Sequence, residues 1–116
     1  MTQEEKQLLL KDICARLPYG VKCQGEDSNV YTLDAANYFA LQVEDVVFKP
    51  YLRSMSSMTE EEKDELLNLR KEMNMHMHPW IDRILDFYLS HHLDWRGLIL
   101  LGLALEAPEG MYKAKQ

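Results

Sequence analysis

The sequence predicts an α+β fold with an N-terminal helix, a small antiparallel β-meander and two C-terminal helices. Apolar residues recur at helical spacing near the N-terminus and again after residue 59, and a capping box opens each of these stretches. Between them, over residues 20–49, short runs of β-forming residues alternate with turn-forming residues. Because the chain has 116 residues, of which 47% are hydrophobic, we expect a single domain over residues 1–116 with its own core.

The first helix is predicted over residues 3–16. Thr2 can accept a hydrogen bond from the Glu5 amide while the Glu5 side chain reaches back to the Thr2 amide, which is the capping-box pattern. Proline cannot continue a helix, so Pro18 ends it. The residues expected on its buried side repeat at helical spacing: Leu9, Leu10, Ile13, Cys14 and Leu17.

Four short strands are predicted in the middle of the chain, joined by tight connections that favour an antiparallel order. Four strands do not bury both of their faces alone. The sheet therefore either packs one face against the helices or rolls into an SH3-like barrel. The predicted strands cover residues 21–24, 30–33, 38–43 and 46–48.

Two further helices are predicted, over residues 60–77 and 79–91. Thr59 and Glu62 have the spacing of a second capping box. Pro79 separates the two helices, because one unbroken helix through both stretches would be about 46 Å long, which is longer than a small domain is wide.

Residues 93–112 are predicted to form a structured tail, and they contain the strongest candidate for a contact surface. Tryptophan and arginine are the residue types most often found as interface anchors, and an exposed apolar stretch beside them would extend such a surface. In the structural alternative, Asp94 caps a turn, Trp95 packs on the sheet and Arg96 pairs with a carboxylate. The predicted contact residues are Trp80, Trp95, Arg96, Leu100 and Leu101.

The composition disfavours several classes of function. A net charge of −6 opposes a mainly electrostatic grip on a phosphate backbone. The longest apolar stretch is about half the length of a membrane span, and the acidic N-terminus does not resemble a signal peptide. Two cysteines are too few for a disulfide framework. We therefore expect a soluble cytoplasmic protein without a cofactor or a membrane contact.

Metal binding is one alternative function, because histidine is a common ligand for zinc. His76 and His78 are two residues apart and His91 and His92 are adjacent, so neither pair has the i, i+4 spacing of a helical metal site. A site for a metal-binding protein or a metal-dependent hydrolase would need one histidine from each pair and a carboxylate. Solvated or capping histidines near helix ends are the structural alternative.

Three stretches of the chain resemble a known family. They are MTQEEKQLLLKDICARLPYGVKC at the start, KPYLRSMSSMTEEEKDEL in the middle and HHLDWRGLILLGLALEAPEGMY near the end, about half of the chain in all. Together they resemble small uncharacterised proteins of gut anaerobic bacteria and of their phages and prophages. That family usually has a charged residue or two where this chain has Leu100 and Leu101. The resemblance implies a bacterial or phage cytoplasm and carries over no activity, ligand or functional residue.

These observations favour a non-enzymatic protein-interaction or adaptor module of phage or mobile-element origin. The sequence has no G-x-S-x-G, no glycine-rich phosphate loop and no C-x-x-C, which argues against an enzyme without excluding one. The expected partner is an unidentified protein or a second copy that forms a homodimer. Besides the metal alternative, a small nucleic-acid-binding barrel stays open, with contacts from Lys22, Lys49, Tyr51 and Arg53.

Overall fold

The structure, a computed structural model, confirms the α+β class. It describes residues 2–25, 27–34, 48–75 and 77–112, and for residues 73–81 only the backbone within that range. The helices are α1 (Gln3–Arg16), α2 (Glu60–Met75) and α3 (Met77–Ser90). The strands are β1 (Val21–Gln24), β2 (Val30–Leu33), β3 (Lys49–Leu52) and β4 (Leu105–Glu106).

Helix α1 has the predicted bounds, and both hydrogen bonds of its capping box are present. The Glu5 amide donates to Thr2 Oγ1 at 3.0 Å, and the Thr2 amide donates to Glu5 Oε1 at 2.9 Å. The predicted buried side was partly wrong, because Leu10 and Cys14 are exposed. The buried positions follow the i, i+3, i+4, i+7 pattern instead, and two of them are charged: Leu9, Asp12, Ile13 and Arg16.

The described strands form an open sheet in the order β2-β1-β3-β4, so the barrel, one of the two arrangements that the sequence left open, is wrong. Strand β1 is antiparallel to β2 and to β3 and lies between them, so the described strands do not follow the consecutive order of the predicted meander. The purely antiparallel sheet was also wrong, because β4 comes from the tail and pairs with β3 in parallel. Strand β3 begins at Lys49, where the sequence suggested that the sheet ends. The predicted strand 38–43 lies outside the described residues, as do residues 46 and 47 of the last one.

Two apolar clusters make up the described core. In the first, α1 packs on the sheet together with residues of the tail: Leu9, Ile13, Leu17, Val21, Cys23, Leu33, Leu52, Leu98, Leu103 and Ala104. In the second, α2 and α3 pack against each other and against the start of the tail through Leu66, Ile84, Phe87 and Leu93. The tail therefore belongs to both clusters, which makes it part of the core and not an appendage.

The chain forms two antiparallel helices, α2 and α3, in place of one long helix, as the sequence predicted, but α3 begins at Met77 and not at residue 79. The break precedes Pro79, which is the third residue of α3 and lies in the first turn, where its missing N–H costs no helical hydrogen bond. Helix α3 then ends in a Schellman motif, in which the His92 amide donates to the Leu89 carbonyl and the Leu93 amide donates to the Tyr88 carbonyl. His92 takes the left-handed position of this motif, with φ at 59°.

The Glu62 carboxylate joins the start of α2 to the end of β3 and to the end of α3. It closes the predicted capping box with Thr59 and accepts two hydrogen bonds from Arg53, at 2.9 and 2.7 Å. His91 Nδ1 lies 3.0 Å from its Oε2 atom. The hydrogen bonds from Arg53 are the main reason that the pKa of Glu62 falls to about 2.

Replacing this carboxylate should therefore make stability depend less on pH. We expect Glu62→Gln to lower the free energy of unfolding at pH 7 by about 2 kcal/mol, on the scale of one charge-assisted hydrogen bond. Because the pKa of Glu62 drops from 4.5 to about 2 on folding, its contribution is complete above pH 4.5 and disappears as the pH falls toward 2. Urea unfolding at a series of pH values measures this difference.

The matched control is Glu60→Gln, because the Glu60 side chain is 87% exposed and pairs with Lys63 at the surface. We expect this variant to change stability by less than about 1 kcal/mol at any pH. If the difference in the free energy of unfolding between wild type and Glu62→Gln stays constant from neutral to acid pH, the stabilising role assigned to the ionised Glu62 carboxylate is wrong.

Candidate functional site

The position of the tail depends on the fully buried carboxylate of Asp12. Arg16 donates to it through Nε at 2.7 Å and through Nη2 at 3.2 Å, and neither side chain is exposed. Arg96 donates to the same carboxylate through Nε at 3.0 Å. Arg16 Nη2 also donates to the Leu93 carbonyl at 2.8 Å. Helix α1 therefore holds the tail at two points, Leu93 and Arg96.

Asp94 shapes the next part of the tail. Its carboxylate accepts hydrogen bonds from the amides of Leu98 at 2.7 Å and Ile99 at 3.0 Å. Its own amide donates to the Arg53 carbonyl at 2.8 Å, which fixes the tail against the residue that follows β3. The cap that the structural alternative assigned to Asp94 is therefore present. Leu98 is fully buried beneath it.

Residues 99–102 form a turn that we call the leucine turn. The Gly102 amide donates to the Ile99 carbonyl at 3.0 Å, and φ at Gly102 is 78°, a conformation that favours glycine. Leu100 and Leu101 occupy the tip and are 93% and 53% exposed. Leu98 before the turn and Leu103 after it are buried in the core. The turn therefore presents two leucines from a fixed base.

The side chains of Trp95 and Arg96 pack against other residues of the same chain. The Trp95 ring stacks on Tyr88 with centroids 6.1 Å apart, and the Arg96 guanidinium lies 4.2 Å from the centroid of the Trp95 ring. The Arg96 side chain, which pairs with Asp12, is 17% exposed. Trp80 lies in α3, but its side chain is outside the described part. Of the five predicted contact residues, Leu100 and Leu101 are thus the ones that the structure shows to be well exposed.

The histidines at the end of α3 have different partners. His91 contacts Glu62 and Glu65, at 3.0 and 3.8 Å, and its ring packs on Phe87. The His92 ring stacks on Tyr112 instead. His76 and the His78 side chain fall outside the description. Among the described residues, no group of three or more potential ligands could hold a metal ion.

Two of the basic residues proposed for nucleic-acid binding, Arg53 and Lys22, have side-chain partners within the chain. Arg53 binds Glu62, and its Nη2 donates to the Ser57 carbonyl at 3.2 Å. Lys22 Nζ donates to Thr32 Oγ1 at 3.2 Å. Tyr51 and Lys49 lie in β3, the strand between β1 and β4. The arrangement gives Arg53 a structural role, since its guanidinium joins β3 to α2.

An open groove of about 390 Å³ lies between the short helical turn Leu17–Tyr19 and the α2–α3 pair. Its wall includes the Tyr19 hydroxyl, which donates to Asp86 at 3.2 Å. Ser90 also lines it, but the Ser90 hydroxyl donates to the Phe87 carbonyl of its own helix. This bond orients the hydroxyl toward the backbone, so the groove does not present Ser90 as an activated nucleophile.

Comparisons with known proteins assign this chain to no group: no family model, curated protein or solved structure matches it. Within the described ranges, no helix has the length and apolar character that a membrane crossing requires.

Three residues that shape the site, namely Asp12, Arg16 and Tyr112, were not identified from the sequence. Asp12 and Arg16 have the helical spacing of the buried face of α1, and this spacing was the signal that could have found them. Tyr112 donates and accepts hydrogen bonds with backbone groups of Lys22 and Tyr51. No local pattern marks a tyrosine that reaches so far along the chain.

Removing the charge of Asp12 should strongly destabilise the protein. Asp12→Asn leaves the buried guanidinium of Arg16 without a counter-charge, and breaking a buried pair in this way costs about 3–5 kcal/mol. Chemical denaturation measures the loss. The control is Lys63→Gln, which removes an exposed ion pair and should cost less than about 1 kcal/mol.

A double variant separates the buried charge from other effects of the substitution. Asp12→Leu combined with Arg16→Met removes both charges, and we expect it to be more stable than Asp12→Asn alone. Equal or lower stability of the double variant would contradict the view that the unpaired Arg16 charge is the main cost.

Proposed function

We propose that this chain is a non-enzymatic protein-interaction module, an adaptor of phage or mobile-element origin that acts in the bacterial cytoplasm. The observation that carries the proposal is the leucine turn, whose tip residue Leu100 is 93% exposed although residues on both sides of the turn are buried. The family resemblance supports the phage setting. The leucine turn is the proposed contact, and Trp80, Trp95 and Arg96 are proposed to extend it.

A fixed base makes the leucine turn a suitable anchor. Asp94 holds the amides of Leu98 and Ile99, so little conformational freedom remains to be lost when a partner binds. Burial of one leucine side chain contributes about 1.5–3 kcal/mol. Two leucines alone cover much less than the roughly 800 Å² per partner of a stable interface. The proposed partner therefore supplies an apolar pocket for the turn and further contacts around it.

Buried and half-buried carboxylates and a buried thiol have structural roles, which favours a binding function over a catalytic one. Asp12, Asp94 and Glu62 each accept hydrogen bonds that fix backbone or a neighbouring arginine. Burial raises the pKa of the Cys23 thiol to about 12, so this thiol stays protonated and weakly nucleophilic at neutral pH. These groups stabilise the fold, whereas Leu100, at the tip of the leucine turn, is the most exposed of the large hydrophobic residues in the described part of the chain.

Self-association is the first form of the proposal to test. Sedimentation velocity over about two decades of protein concentration should show an average mass that rises with concentration. Burial of one leucine at the interface lowers the dissociation constant about tenfold or more. Leu100→Lys should weaken this association by at least about tenfold. Leu67→Lys is the matched control, since Leu67 is an exposed leucine on α2, and it should behave like wild type.

If the partner is another protein, wild type, Leu100→Lys and Leu67→Lys are each immobilised and used as baits in pulldowns from extracts of a bacterial host. Wild type and Leu67→Lys should then retain a protein that Leu100→Lys loses. The proposal fails if wild type is monomeric at all concentrations and if no retained protein depends on Leu100.

A further inference from the structure

The last described part of the tail, residues 105–112, forms a strap across the sheet. Its backbone pairs with Tyr51 and Leu52 through β4, and the Ala107 amide donates to the Leu52 carbonyl at 2.7 Å. Every side chain of the strap is exposed or half-buried, so it buries little apolar surface. Segments with few buried contacts open at low free-energy cost. The strap therefore depends on its few specific contacts, and most of these involve Tyr112.

The hydroxyl of Tyr112 lies between β1 and β3. It accepts a hydrogen bond from the Lys22 amide at 2.7 Å, and it lies 2.8 Å from the Tyr51 carbonyl, to which it can donate. The two strands pair directly only at Cys23 with Pro50 and at Gln24 with Lys49. Tyr112 thus satisfies backbone groups at the point where the two strands separate. Burial raises its pKa, so the phenol keeps the proton that it donates.

His92 covers one face of the Tyr112 ring. The two ring centroids are 3.7 Å apart and the planes are 13° from parallel. The backbone of His92 is fixed by the Schellman motif at the end of α3, which holds the imidazole in place. Its Nδ1 atom is buried and has no hydrogen-bond partner in the described part of the chain.

The surroundings of His92 oppose a positive charge on its ring. The charged or titratable groups that act on it are Arg16 from α1, Lys22 from β1, Arg53 after β3, and the neighbouring His91. Burial is the largest cause, and these groups are the next, for a pKa of His92 that falls from 6.5 to about 4. The closed strap therefore favours the neutral imidazole over the imidazolium.

We propose that the strap is an acid-releasable latch: neutral His92 holds Tyr112 between β1 and β3, and protonation of His92 frees the strap from the sheet. A proton from solvent adds to the imidazole, and the imidazolium moves into water because its site is buried and surrounded by basic groups. Tyr112 then loses its stacking partner. The Lys22 amide, the Tyr51 carbonyl and the edge of β3 become accessible. This inference is independent of the proposed interaction at the leucine turn.

The direction of the pH effect follows from linkage. The open form binds a proton more tightly than the closed form, so closure is most favourable above pH 6.5. As the pH falls from 6.5 to about 4, the equilibrium constant for closure decreases by up to about tenfold per pH unit. Titration of His92 and release of Tyr112 should therefore be one coupled event.

Nuclear magnetic resonance of the full chain labelled with ¹⁵N tests this coupling between about pH 7 and pH 3.5. The ring nitrogens of His92 report its protonation, and the Lys22 amide proton reports its hydrogen bond to Tyr112. We expect the two signals to change with the same midpoint, while amides inside α1 stay unchanged. If His92 titrates without a change at Lys22, or if Lys22 changes with a different midpoint, the proposal is wrong.

Three variants identify the group responsible. His92→Asn keeps a residue that tolerates positive φ but neither stacks on Tyr112 nor titrates, so the Lys22 signal should already be altered at neutral pH and should show no acid transition. His91→Asn, the adjacent matched control, should keep the acid transition. Tyr112→Phe retains the ring for stacking and removes the hydroxyl, so the Lys22 signal should already be altered at neutral pH. An unchanged acid transition in His92→Asn would overturn the proposal.

Discussion

The arrangement of the C-terminal half depends on one buried carboxylate, that of Asp12. Two arginines bind it, one from its own helix and one from the tail, and Arg16 extends the connection to the Leu93 carbonyl. Burying charges is expensive, and such a network is weak support for stability in itself. Its geometry is demanding, however, because each charge needs its partner at a fixed place. We infer that the network specifies where the tail meets α1.

Fixing the tail has consequences for the surface of the molecule. Once Leu93 and Arg96 are held, the Asp94 cap and the burial of Leu98 leave the leucine turn on the outside. The same tail then continues into β4 and ends its described part at Tyr112, which closes the gap between β1 and β3. One segment thus links the core, the proposed contact surface and the proposed acid-sensitive latch. A partner that binds the turn would meet a surface already held in its binding conformation.

The parts of this structure that local chemistry determines could be predicted from the sequence. Capping boxes and helical spacing predicted the three helices, and Pro79, which lies in the first turn of α3, predicted that the last two are separate. The parts that depend on distant contacts could not be predicted. Asp12 resembles an ordinary surface charge until the buried face of α1 is known, and nothing near Leu105 indicates a parallel partner. For the site, exposure at Leu100 was expected, whereas the internal pairing of Arg96 was one of two alternatives left open.

Amide hydrogen exchange at Leu98 and Ile99 tests the central claim most directly, because the Asp94 carboxylate accepts from both amides. If the Asp12 network and the Asp94 cap make the base of the turn part of the core, these amides exchange only when the whole protein unfolds, as slowly as the amides of β1. Exchange at Leu98 and Ile99 that is orders of magnitude faster than in β1 would contradict this account, since the base of the turn would then open independently of the core.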